Sequence, residues 1–134
     1  LQSAVRMIVA DITQAQSDAV ALQTGQAVIF TSTGYRIAPV AGTAIDTSPD
    51  VVISRTIGGE EFGNATLRNI HLNDDVLFFD ALGGPVQGAG SDVAASTGWL
   101  EVTAGRQVYR ISIEAFTGRV TVAAREDEPS GATP

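Results

Sequence analysis

The stretch LQSAVRMIVADITQAQSDAVALQT, Leu1 to Thr24, decides the fold. Its apolar residues Leu1, Val5, Ile8, Ile12, Ala15, Ala19 and Leu22 recur at alternating steps of four and three. That spacing lines one face of an α-helix with a single apolar stripe. No Pro or Gly interrupts the run, and Gly25 follows where a left-handed helix terminus favours glycine. The sequence therefore predicts one amphipathic helix over residues 1–24. No capping residue precedes Leu1, so the helix is expected to continue from residues upstream of this chain.

Past Gly25 the period changes from helical to alternating. Gln26 to Thr31 and Tyr35 to Val40 read as strands joined at Ser32-Thr33-Gly34, a hairpin directly after the helix. Ala41 to Pro49 reads as loop, Val51 to Ile57 as a strand and Gly58 to Asn64 as loop. Leu67 to Leu72 is a candidate short strand. Asp75 to Asp80 encloses four apolar residues and reads as a strand buried on both faces, stopped by Gly83-Gly84-Pro85. Gln87 to Thr97, rich in Gly, Ala and Ser, reads as a mobile loop. Gly98 to Thr103 and Gln107 to Ile113 flank the turn Ala104-Gly105-Arg106. Thr117-Gly118 marks the final reversal, with Arg119 to Ala123 as the last strand. One long helix followed by about six to eight short strands predicts an α+β fold with antiparallel pairing. The expected organisation is one globular domain over residues 1–124, with helix 1–24, β-rich region 26–123 and a disordered tail 125–134.

Composition narrows the function. The 134 residues carry a formal net charge of −7, and all eight basic residues are arginine. That balance argues against a nucleic-acid surface, which is normally basic. Cysteine is absent, which excludes disulfides, zinc–thiolate sites and a cysteine nucleophile. No run of 18 apolar residues is present to span a membrane.

Catalytic patterns are also missing. His71 is the single histidine, too few for a multi-histidine metal site, and reads as structural or solvated. Glu60-Glu61 and Asp74-Asp75 read as solvated loop acids, since neighbours on a strand point to opposite faces. Asp46, Asp50, Asp74 and Asp75 could supply some calcium oxygens, although their spacing fits no calcium loop. Gly58-Gly59 and Gly83-Gly84 are turn glycines without a phosphate-binding pattern, and Asn64-Ala65-Thr66 matches a short glycosylation sequon. Trp99 and Tyr109 read as core or edge packing. No catalytic residue, metal site or cofactor is expected.

Three stretches together resemble the minor pseudopilins of type II secretion, the GspH/FimT-like group of type IV pilin-like proteins. The first runs from Asp11 to Ala19 and on to Thr24-Gly25-Gln26-Ala27-Val28, with Gln16 and Asp18 where the group usually has Arg and Glu. The second is Leu77-Phe78-Phe79-Asp80-Ala81-Leu82-Gly83. The third is Tyr109 to Val120, an alternating strand running into Thr117-Gly118-Arg119-Val120. The resemblance implies a pilin-like helix packed on one or two antiparallel sheets. It also implies a structural subunit near the tip of a pseudopilus that helps initiate assembly or contacts exported cargo. Such a protein sits at the bacterial inner membrane with this domain in the periplasm, anchored only through an upstream segment absent here. Its partners are other pseudopilins, met through N-terminal helices, and no nucleic acid. Alternatives are a minor pilin of a type IV pilus, acting in pilus initiation, adhesion or DNA uptake, and an extracellular ligand- or calcium-binding module.

A helix of 24 residues is about 36 Å long, against a radius of gyration of about 14 Å for such a domain. Its first turns are therefore expected to project. The helix seam Leu1, Val5, Ile8 and Ile12 is the expected partner interface, while Ala15, Ala19 and Leu22 are expected to serve the domain's own core.

Overall fold

The computed structural model describes residues 1–126. Helix α1 spans Gln2–Leu22 and turns one apolar stripe inward: Ala4, Val5, Ile8, Ile12, Ala15 and Ala19 are buried. The helix ends two residues earlier than the composition suggests. Gln23, not Gly25, takes the left-handed terminal position at φ 52°. Its backbone N–H donates to Val20 O and its side-chain amide to the same carbonyl at 2.8 Å, which offsets the left-handed strain. Gly25 serves close packing instead, because a Cβ there would stand 3.0 Å from Phe79 O.

Ten strands follow. The hairpin after the helix is β1 (Gln26–Phe30) and β2 (Gly34–Ala41). Next come β3 (Ala44–Ile45), β4 (Ile53–Thr56), a 3₁₀ turn at Glu60–Phe62 and β5 (Thr66–His71). Then β6 (Val76–Phe79), β7 (Pro85–Val86), β8 (Gly98–Ala104), β9 (Gln107–Ile113) and β10 (Val120–Glu126) complete the chain. All pairings are antiparallel and make two sheets. One has the order β3-β2-β1-β6-β7, with β4 also on β2; the other has the order β10-β9-β8-β5. The chain is thus an α+β protein, one helix on two antiparallel sheets.

The helix stripe shares one core with both sheets: Val28, Phe30, Tyr35, Leu77 and Phe79 from the larger, Leu100, Val102, Ile111 and Ile113 from the smaller. A second cluster, Ala27, Val76, Phe78 and Val86, lies apart from it. Strand β6 contributes to both clusters, and all four of its residues are buried, as its unbroken apolar run requires. The segment 87–97, expected to be mobile, is tied down. Gln87 N–H donates to Val93 O and Ala95 N–H to Pro85 O, with a bridge between Val86 and Ala94. The tail expected from residue 125 starts too early, since Arg125 and Glu126 pair with Val108 and Gln107 in β10. The rest of that tail lies outside the described residues.

Candidate functional site

The expected helix seam is not an outer surface. Val5 is 7% exposed, Ile8 and Ile12 are fully buried, and Leu1 packs against the same core. Ile57, Phe62 and Ala65, in the connection between β4 and β5, and Leu67 of β5 join the same cluster, and Gly63, in the segment read from sequence as loop, lies beside the Leu1 amino group. Exposure falls at the other end of the helix. Leu22, expected in the core, is 65% exposed because core contact stops at Ala19. Farther along α1, Tyr35 hydroxyl donates to Asp11 Oδ2 at 2.6 Å, and Arg55 Nε donates to the same oxygen at 3.1 Å. Burial, then the hydrogen bond to Asp11, pushes the Tyr35 hydroxyl well above its ordinary titration range.

The exposed end of the helix is held by one side chain. The Gln16 amide donates to Gly83 O at 2.7 Å and to Thr117 O at 2.9 Å, joining helix, β6–β7 turn and β9–β10 turn. The first turn is set by Asp80, whose Oδ1 accepts the backbone N–H of Leu82 and of Gly84. In the second, Gly118 has φ 70°, as its place in the reversal predicts, and a Cβ there would collide with Gln16 Nε2. Phe116, two residues earlier, is also left-handed at φ 68°, a costly conformation for an aromatic residue. Phe116 is 77% exposed, Leu82 is 85% and Val20 is 45%. These three line a groove of about 500 Å³ beside Gln16. Three exposed apolar side chains are thus displayed together on a framework held by Gln16.

A second surface lies on the outer side of the smaller sheet. Glu101 is 4% exposed. Its Oε1 accepts from Asn69 at 2.7 Å and from Arg68 Nε at 3.3 Å; its Oε2 accepts from Arg110 Nη2 at 3.1 Å and lies 4.0 Å from Arg125 Nε. Burial alone would raise this carboxyl, but the hydrogen bonds from Asn69, Arg110 and Arg68 outweigh it and hold it below the usual carboxylate range. Next to it, His71 stacks on Trp99 with ring centroids 4.0 Å apart, and Arg110 Cζ lies 5.0 Å from the Trp99 centroid. Trp99 is therefore half-buried on the outer face of an interior strand, and Tyr109 packs on the main core.

The candidate calcium acids are not gathered. Asp46 accepts the Ser48 N–H and hydroxyl within its own turn, which lowers its carboxyl from the ordinary value. Asp74 and Asp75 are left-handed residues of the β5–β6 connection. Among the described residues no three His, Asp or Glu side chains converge on a point. A cavity of about 370 Å³ opens near that connection, but the polar side chains Asn73 and Gln87 at its edge donate to the carbonyls of Gln87 and Ala94.

Fold and surfaces together define an α+β protein whose exposed features are a held apolar groove and an arginine-rich sheet face. No protein-family model matches the chain, nor does any curated protein or solved structure.

Proposed function

We propose that this chain is a non-enzymatic minor pseudopilin, a structural subunit of a type II secretion pseudopilus that faces the periplasm from the bacterial inner membrane. One observation carries the reading. The three stretches in which the sequence resembles that group meet at one joint, where Gln16 from the first bonds Gly83 of the second and Thr117 of the third. Segments separated by 67 and 101 positions share a hydrogen-bonded centre, which supports taking the three stretches together, with Gln16 at the joint standing where the group usually has Arg. The helix laid on two antiparallel sheets agrees with the architecture the resemblance implies. No helix among the described residues is long and apolar enough to cross a membrane, so membrane attachment in this proposal does not come from α1.

With Val5, Ile8 and Ile12 committed to the core, the proposal gives neighbouring subunits the groove of Val20, Leu82 and Phe116. Deleting the gene in its own host, and assaying both exported protein in the medium and pili on the cells, tests the reading. Loss of export with intact pili supports it. Loss of pili with intact export assigns the chain to a type IV pilus as a minor pilin, and no loss of either overturns both.

A further inference from the structure

We infer that strand β10 pairs edge to edge with β10 of a second copy of this chain. The border of a sheet carries unpaired N–H and C=O groups, and proteins blunt such borders with short strands, bulges or charges. The larger sheet does so throughout. It ends in β3 and β7, of two residues each, and in β4, of four residues with Arg55 among them. In the smaller sheet, β5 loses register with β8 just before His71, where Asn69 is left-handed at φ 49°. Strand β10, at the opposite border, has none of these devices. Its seven residues keep unbroken register with β9, and Val120-Thr121-Val122-Ala123-Ala124 holds no Pro, Gly or charged residue. Among the described residues no strand other than β9 pairs with it.

The ladder identifies the unpaired groups. Glu114 N–H donates to Arg119 O at 2.9 Å where the last hairpin begins, so position 119 turns toward β9. Backbone groups alternate sides along an antiparallel strand. Thr121, Ala123 and Arg125 therefore also turn toward β9, and Val120, Val122, Ala124 and Glu126 turn outward. That outward set is centred on Ala123. A two-fold axis through Ala123 opposes Val122 to Ala124 of the second copy and Val120 to Glu126, so every outward donor meets an outward acceptor.

The side chains suit the same axis. Val122 lies opposite the buried Ile111, on the core side of the sheet, yet is 44% exposed. Pairing sets it beside the small Ala124 of the second copy and extends the apolar side of the sheet. Ala123, exposed on the other side, meets its own equivalent without crowding. An axis through Val122 would oppose Arg119 to Arg125, and like charges directly opposite destabilise a ladder. An axis through Ala124 would send Val120 past Glu126, the last described residue. The contact is self-complementary and occupies β10 of both copies, so it closes at a dimer. It rests on the sheet edge alone and stands or falls independently of a role in secretion.

Sedimentation equilibrium of the full chain, from micromolar to millimolar concentration, is expected to show a monomer–dimer equilibrium. Ala124→Pro removes an outward N–H and leaves the β9 ladder intact. Two symmetry-related hydrogen bonds are then lost, and dimerisation is expected to weaken about tenfold or more. A second variant fixes the axis. The chain has no cysteine, so Ala123→Cys adds its only thiol. Residues opposed at such an axis have Cα atoms about 4.5 Å apart, within disulfide reach. With oxidised glutathione, Ala123→Cys is expected to form covalent dimer about tenfold faster or more than Thr43→Cys, at an exposed turn of the larger sheet. A monomer at every concentration overturns the proposal, as does a dimer indifferent to Ala124→Pro or equal cross-linking of the two cysteine variants. Open-ended assembly overturns the two-fold pairing. Dimerisation that appears only after deletion of residues 127–134 overturns it in favour of that segment as the occupant of the edge.

Discussion

The two ends of the helix have the same kind of sequence and opposite surroundings. Near its start, Ala4 and Ile8 are wholly buried and Val5 is 7% exposed; near its finish, Val20 is 45% exposed and Leu22 is 65%. Periodicity identifies which side of a helix is apolar. It does not say how far along that side the rest of the chain extends. The buried end shares its core with residues remote in sequence, among them Ile57, Phe62 and Ala65 of the β4–β5 connection and Leu67 of β5, and Gly63 of that connection lies beside the Leu1 amino group. At the far end the neighbouring turns are held by Gln16 but leave Leu82 and Phe116 facing outward. One end is core and the other is exposed.

The sharpest way to break this contrast is at the buried end. Ile8→Ala is expected to cost about 2–5 kcal/mol in urea unfolding, the range for truncating a fully enclosed aliphatic side chain. A loss below about 0.5 kcal/mol would mean the first turns are open after all. Gly118→Val ranks next. It forces a β-branched residue to φ 70° and drives its Cβ onto the Gln16 amide, so a loss of about 1–3 kcal/mol and a melting midpoint lower by several degrees are expected. An unchanged midpoint would show that the latch at the exposed end does not hold the turns.

A third test uses pH. Because the Tyr35 hydroxyl titrates above its ordinary value of 10.0, its contribution to stability is complete below about pH 10. That contribution is lost as pH climbs through the higher folded value, where a phenolate would face Asp11. The wild type is expected to lose more stability between pH 9 and 11 than Tyr35→Phe does, as read by denaturant unfolding. Equal losses would sink the assignment. The smallest effect is expected at Leu22→Ala, within about 0.5 kcal/mol, as for a solvent-facing side chain.

Much of the fold was legible because its signals are local. Helix periodicity, the turn at Ser32-Thr33-Gly34 and the alternation of Tyr109, Ile111 and Ile113 depend on residues close in sequence. The two-residue strands β3 and β7 were not legible, since each exists only through a neighbour already in place. Nor was the Glu101 cluster. Arg68 stands 33 positions before Glu101 and Arg110 nine after it, and only the β5-β8-β9 register brings them to one carboxylate. A lone Glu at the centre of an apolar strand was the available clue, because a buried acid requires partners. The seam was misjudged for a related reason: length and radius estimate overhang but not its direction.

The reach of Gln16 also bears on how the molecule is made. Its partner Thr117 lies 101 residues later in the chain. Ribosomes add about 5–20 residues per second, so roughly 5–20 s separate the synthesis of the two. Within that interval the larger sheet is complete once β7 has been made, but the smaller sheet, which covers the rest of the stripe, waits for β10. The latch closes only when the last hairpin arrives. The stripe that is among the best hidden parts of the finished protein is therefore fully covered only late in synthesis.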